Sequence, residues 1–74
     1  MIRNAKLVGL RYPKKGDFVE AAFVCNDPNV EGYIAFSAPV YPSMLDKDVK
    51  LSVNNEYKIV YSGFAPNVKI HAVL

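Results

Sequence analysis

Residues 2–26 of this 74-residue chain read IRNAKLVGLRYPKKGDFVEAAFVCN, and this stretch decides the fold. Two runs rich in branched and aromatic residues stand on either side of a turn that contains a proline, two lysines and a glycine. This pattern predicts a β-hairpin, in which Gly16 can take the positive φ that a tight turn requires. In the second run apolar residues alternate from Val19 to Cys25, so we expect one face of that strand to be buried.

The boundaries of the hairpin follow from the same stretch. We predict strands at Ile2–Tyr12 and Phe18–Asn26, with a turn over residues 13–17. Gly9 lies inside the first strand, where a glycine often marks a bulge or a sharp bend. In the second strand the alternation places Phe18 on the face that meets solvent.

The rest of the chain carries further short strand-like runs. They are predicted at Gly32–Ser37, Val49–Val53, Tyr57–Ser62 and Val68–Val73, with turns at 27–29 and 54–56 and a loop at 63–67. The two prolines of residues 38–43 remove ladder donors and exclude a central strand there. Ser43 could cap one short helical turn over residues 44–48.

Five or six short strands in one chain predict a single all-β domain over residues 1–74, a small barrel of the OB-like or SH3-like kind with a projecting hairpin. The hydrophobic fraction of 51% and the nine aromatic residues separate the chain from disordered sequences. Cys25 is the only cysteine and cannot form an internal disulfide, which favours an intracellular protein. No apolar run approaches the ~20 residues of a membrane span, so we expect a cytoplasmic protein with no membrane partner.

Charge is segregated along the chain although the net charge is only +2. Residues 1–15 contain five basic residues and no acid, whereas residues 16–31 contain four acids and no base. Antiparallel strands can pair such opposite charges across an exposed face. Alternatively, the cations of the turn could bind phosphates and its aromatic rings could stack on bases. This composition is typical of a site that binds single-stranded nucleic acid.

Catalytic and metal chemistry find little support in the residue types present. His71 is the only histidine, and with a single cysteine the spacing of a zinc site is missing. Nucleophilic catalysis needs a serine or cysteine with a base and an orienting acid, and no such set can be assigned. The four glycines are too far apart to form a phosphate-binding loop. We therefore predict a non-enzymatic protein without a cofactor and treat His71 as a strand residue.

Two stretches resemble the gene V-type single-stranded DNA-binding proteins of filamentous phages. The first is Arg11–Glu20, which is similar to the basic, glycine-containing tip of that family's DNA-binding wing. The second is Tyr57–Phe64, which is similar to a strand that leads into a Ser-x-Phe turn, followed by the closing apolar strand at 68–73. The resemblance implies a dimeric OB-fold that coats single-stranded DNA during replication, in a host cytoplasm if the protein is viral. Asp17, beside the wing glycine, departs from the family's layout.

The candidate nucleic-acid-binding residues combine this resemblance with the composition of the turn and strands. They are Arg11, Tyr12, Lys14, Lys15, Phe18, Tyr33 and Phe64. Tyr33 is included because its strand alternates Tyr33, Ala35 and Ser37 against an apolar face. The other tyrosines are expected in the barrel wall or at a dimer surface.

Aromatic candidates could also have a purely structural role, without binding nucleic acid. Tyr12 and Phe18 could pack on each other across the hairpin, and Phe64 could close the barrel as a core plug. A competing function is a small β-barrel that binds another protein, such as a phage-encoded inhibitor or a structural subunit. In that case the aromatic residues and the loop Pro39–Pro42 would form a protein interface.

Overall fold

A computed structural model describes residues 2–26, 33–64 and 67–74 of the chain. The described elements are β1 (Ile2–Arg11), β2 (Val19–Asn26), β3 (Tyr33–Val40), a 3₁₀ turn (Pro42–Met44), β4 (Glu56–Phe64) and β5 (Asn67–Val73). The described residues contain no helix besides the 3₁₀ turn. The prediction of an all-β chain is confirmed, and the described residues form five strands.

The strands form one antiparallel sheet in the order β3-β2-β1-β4-β5. β1 lies at its centre and pairs with β2 on one side and β4 on the other. The two outer strands, β3 and β5, pack against each other, so the sheet curls into a nearly closed barrel. This arrangement is the small OB-like barrel that the sequence predicts.

A bulge in β1 sets which of its side chains enter the core. Leu7 lies opposite Phe23 and Gly9 lies opposite Ala22, so Val8 is the extra residue. The bulge confirms the expectation for Gly9. It also breaks the uniform alternation, because Leu7 is buried and Leu10, three residues later, packs against the core.

The core is formed by the inward faces of all five strands. Its largest fully buried side chains are Phe23, Leu7, Ile59, Ile70, Val40 and Val73. In β2 the buried residues Ala21, Phe23 and Cys25 follow the predicted alternation, and Val19 packs against them. Apart from the tyrosines Tyr57 and Tyr61, no side chain with a polar or charged group is buried among the described residues, so hydrophobic burial is the main stabilising contribution.

The predicted strand at Val49–Val53 is wrong. The hydroxyl of Tyr57 donates to the carbonyl of Lys50 at 2.5 Å and accepts from the backbone N–H of Ser52 at 2.7 Å. These are the backbone groups that a strand would pair with a neighbour. The segment instead crosses one end of the barrel, where Val49 and Leu51 pack against the core.

The predicted end of the third strand is also wrong. β3 begins at Tyr33 and continues through Pro39, which lies opposite Glu20 of β2, to Val40. β3 is the outer strand of the hydrogen-bonded sheet, and an outer strand tolerates a proline. The helical turn occurs at Pro42–Met44, earlier than expected, and Tyr41 rather than Ser43 occupies its N-cap position.

The remaining predicted boundaries have mixed outcomes. Asn54 has a φ of 78°, which confirms the turn before β4. Gly63 and Phe64 belong to β4, opposite Val68 and Asn67, so the loop predicted over residues 63–67 is shorter than expected. The predicted turn at 27–29 lies outside the described residues. Among the described residues, no helix has the length and apolar character needed to cross a membrane.

Candidate nucleic-acid interface

Residues 12–18, which join β1 to β2, form a turn that we call the wing turn. Gly16 has a φ of +102°, and a Cβ placed on it would lie 2.6 Å from Cε1 of Phe18. Glycine therefore suits this position both for its backbone and for the space it leaves. Lys14 and Lys15 are exposed at the turn and form no ion pair with another described residue. Two cations thus stand in solvent, where phosphate groups could reach them.

Phe18 is placed differently from the expectation. Its side chain is half-buried, and its ring lies 5.3 Å from the ring of Tyr41, tilted by 46°. The predicted position on the solvent face is wrong because Phe18 precedes the first paired residue of β2 and turns toward the end of β3. The ring of Phe18 thus lies against Gly16 of the wing turn and against Tyr41.

Tyr12 is the exposed aromatic residue of the wing turn, with 72% of its surface accessible. The alternative in which it packs on Phe18 is not observed, because the ring contact of Phe18 in the described structure is with Tyr41. Tyr12 therefore presents a ring to solvent beside Lys14 and Lys15.

Arg11 has a local partner. Its guanidinium lies 2.6 Å from the carboxylate of Glu20, directly opposite on β2. The alternative of charge pairing between adjacent strands is confirmed for this pair. Because the side chain of Arg11 is 74% exposed, the pair contributes little stability, and a phosphate would have to compete with Glu20 for the guanidinium.

Phe64 ends β4 with 83% of its surface exposed, the highest value among the large hydrophobic residues described. The core-plug alternative is therefore wrong. The preceding Gly63 has a φ of +88°, and a Cβ there would lie 2.5 Å from the backbone oxygen of Asn67. A glycine-dependent bend thus holds the ring of Phe64 outside the barrel.

Tyr41 connects these two regions, and the sequence analysis had not selected it. It contacts Phe18 of the wing turn, and with Val68 of β5 it lines a cleft on the barrel surface. Val68 lies opposite Gly63, the neighbour of Phe64. Tyr41 therefore contacts the wing turn and shares a cleft with the β5 residue that pairs with Gly63. Its place between Pro39 and Pro42 was the only sequence signal that could have indicated an anchored ring.

The outer face of β2 and β3 differs from the wing turn and the end of β4 in its side chains. Its described side chains include the small, uncharged Ala22, Ala35 and Ser37, and its charged groups are the paired Glu20 and Arg11 beside them. Tyr33 begins β3 opposite Asn26, but its side chain lies outside the described part of the structure. The exposed lysines of the candidate site thus come from the wing turn, and its exposed rings come from the wing turn and the end of β4, rather than from this face.

Two other tyrosines belong to the barrel wall, as expected. Tyr57 and Tyr61 are buried, and both hydroxyls have partners. The hydroxyl of Tyr57 fixes the segment around Lys50, while that of Tyr61 accepts from Nε of Arg3 at 2.9 Å. Neither ring is accessible for stacking.

His71 lies on β5 as a strand residue, and its Nε2 is 2.9 Å from Oγ of Ser62. The sequence analysis had not anticipated this pair. Both residues are exposed, and no described residue hydrogen-bonds the second ring nitrogen. A serine–histidine pair without an oriented imidazole lacks the third member of a hydrolytic triad. Among the described residues, no group of three histidine, cysteine or acidic side chains comes together that could hold a metal ion.

The geometry thus combines an OB-like barrel with two exposed aromatic rings, that of Tyr12 in the wing turn and that of Phe64 at the end of β4. In OB-folds, the strand 2–3 face and the loops that follow strands 1 and 4 bind oligonucleotides and oligosaccharides. The wing turn and the end of β4 occupy those two loop positions. Comparison of the chain with family models, curated proteins and solved structures gave no match.

Proposed function

We propose that this protein binds single-stranded nucleic acid, with DNA favoured, and does so with little dependence on sequence. The observation that carries the proposal is the position of the two most exposed large hydrophobic residues among those described, Tyr12 in the wing turn and Phe64 at the end of β4, at the two places from which OB-folds bind oligonucleotides. Lys14 and Lys15 stand beside the first of them. Exposed rings, one of them in the same turn as two lysines that form no ion pair with another described residue, suit a ligand with flat bases and a charged backbone.

The binding mechanism follows from these groups and involves no covalent chemistry. The ammonium groups of Lys14 and Lys15 neutralise phosphates and release counterions. The rings of Tyr12 and Phe64 stack on bases, which every base allows because each has a π-face. Phe18 acts indirectly, by supporting the wing turn against Tyr41. By its resemblance to the gene V-type proteins, the protein would coat single-stranded DNA during replication of a phage or other mobile element.

The proposal is tested by titrating the protein with a fluorescent poly-thymidine oligonucleotide at several salt concentrations. We expect saturable binding whose affinity falls linearly on a logarithmic plot against salt, with a slope of about 0.7 per phosphate contact. A matched poly-uridine oligonucleotide measures the preference for DNA. No binding at low salt would refute the proposal.

We also propose that the protein acts as a homodimer. A chain of 74 residues has a small core, and pairing would cover apolar side chains that remain exposed, such as Ile2 and Val8. A dimer would also place two wing turns on one strand and raise the overall affinity. Light scattering at micromolar concentration should give twice the mass of the chain, and a monomeric mass would contradict the proposal.

The second candidate function is a protein-binding module. It is favoured by the small, uncharged outer face around Ala22, Ala35 and Ser37, next to the exposed side chain of Val8. Such a face suits close contact with another protein better than contact with phosphates. Failure of all oligonucleotides to bind at low salt would leave this candidate in place.

A further inference from the structure

A cleft beneath the wing turn is lined in part by Tyr12, one of the two proposed stacking residues. We propose that it receives one unstacked base of the bound strand, and that it prefers guanine. This inference rests on the proposed function and adds to it a subsite with a defined base.

The cleft lies at one end of the barrel, between the wing turn and residues 42–51, and has a volume of about 440 Å³. Its apolar lining is formed by Phe18, Val19, Val40, Leu45, Val49 and Leu51. Most of these side chains are half-buried, so they pack on the core below and remain in contact with water above. The volume falls within the range of about 300–1,000 Å³ that is usual for small-ligand sites.

Both walls of the cleft are held in place. On one side Phe18 is fixed by its ring contact with Tyr41. On the other side the hydroxyl of Tyr57 binds the backbone on both sides of Leu51, at Lys50 and Ser52. The site is therefore formed before a ligand arrives, which reduces the ordering that binding requires.

The charges around the cleft indicate which ligand it fits. Asp17 and Lys50 are both exposed and both belong to its lining, and Lys14 and Lys15 lie in the adjoining turn. The lysines suit the phosphates on either side of a base, while the carboxylate of Asp17 can only accept hydrogen bonds. The occupant therefore has two apolar faces, a donor edge and a negatively charged backbone, which describes a nucleotide.

The donor edge distinguishes the bases. Guanine carries N1–H and the N2 amino group side by side, and both can donate to the two oxygens of one carboxylate. Thymine has a single N3–H between two carbonyl oxygens, which the carboxylate of Asp17 would repel. Adenine and cytosine each offer one amino group beside an acceptor nitrogen. A bidentate contact is formed with guanine alone, which gives Asp17 a role in base choice.

The test uses thymidine octamers that carry a single central guanine, adenine or cytosine, together with the all-thymidine octamer. We expect the guanine octamer to bind roughly tenfold more tightly than the all-thymidine one. In Asp17→Asn the ratio of the two affinities should fall to about one. Using the ratio removes the general gain in affinity that loss of a negative charge produces with every octamer.

Asp48→Asn is the matched control, because Asp48 is an exposed carboxylate outside the lining of the cleft. This variant should keep the tenfold ratio. In a second variant, Val49→Phe, the cleft is filled without a change in charge, and we again expect the ratio to fall to about one. Melting temperatures establish that each variant is folded.

The possible failures can be told apart. Salt-dependent binding with equal affinity for all four octamers would overturn the guanine subsite and leave the proposed function intact. A guanine preference that survives in Asp17→Asn would overturn the role of the carboxylate. Absence of binding to any octamer would overturn both proposals.

Discussion

The wing turn and the end of β4 have similar local sequences, but the aromatic ring is packed in the first and exposed in the second. Each has a glycine with positive φ close to a phenylalanine: Gly16 before Phe18, and Gly63 before Phe64. Phe18 is half-buried against Tyr41, whereas Phe64 is 83% exposed. Local sequence chemistry therefore sets the bend in both places, and the neighbouring elements decide whether the ring packs or is left in solvent.

The difference separates residues that stabilise the local structure from residues that are proposed to contact the ligand. In the wing turn the lysines are the proposed contacts with the ligand and the phenylalanine packs against Tyr41, while at the end of β4 the phenylalanine itself is the proposed contact. In the wing turn, substitution of the lysines should therefore affect binding, and substitution of the phenylalanine should affect folding. At the end of β4, the glycine should affect folding and the ring should affect binding.

The largest effect is expected from Lys14→Glu combined with Lys15→Glu. Reversal of two exposed charges should weaken oligonucleotide binding by roughly 100-fold or more and reduce its salt dependence, because phosphate contacts are lost. The melting temperature should stay close to that of the parent, since surface substitutions cost little. Lys47→Glu with Lys58→Glu has the same charge change outside both loops and is the control. Equal affinities of the two folded double variants would refute the wing assignment.

The next effect compares the two glycines. Gly63→Ala combines a positive φ with a Cβ only 2.5 Å from a backbone oxygen, so it should destabilise the protein by about 2–3 kcal/mol. Gly16→Ala should cost less, because its Cβ would meet the ring of Phe18, which can move. Denaturant unfolding measures both. A larger loss for Gly16→Ala would contradict the view that the bend before Phe64 is the more constrained one.

Phe18→Ala should reduce the free energy of unfolding by about 2 kcal/mol, less than for a fully buried phenylalanine, because only part of the ring is packed. Any loss of oligonucleotide affinity should be indirect, because the wing turn is less well ordered without the ring of Phe18. Tyr41→Ala removes the other ring of the pair, and the double variant should cost less than the sum of the two single variants. Additive losses would show that the contact contributes nothing.

The smallest effect is expected from Phe64→Ala. The melting temperature should be nearly unchanged because the ring is exposed, and binding should weaken by about 1 kcal/mol, the lower end of the range for one stacked base. The salt slope should not change, since no charge is lost. Phe64→Tyr keeps the ring and serves as the control. A large fall in melting temperature for Phe64→Ala would remove this residue from the site.

The candidate site was predictable where it depends on local chemistry. The basic turn could be read from Pro13 to Gly16, since proline, glycine and lysine act there through their own backbone and charge. The position of Tyr41 could not, because its contact with Phe18 joins residues far apart in the chain. The ion pair of Arg11 with Glu20 was partly predictable, because it follows from the sequence once the register of the hairpin is known.

By itself the sequence determined the class of the fold, the hairpin of β1 and β2, and the buried face from Val19 to Cys25. These features depend on alternation and turn chemistry, which act over a few residues. Only the tertiary structure decided that residues 49–53 form no strand, because the buried side chain of Tyr57 brings its hydroxyl to the backbone of Lys50 and Ser52, seven and five residues earlier in the chain. It also decided that β3 runs through Pro39, because a proline is tolerated or excluded according to whether the strand has a neighbour on that side.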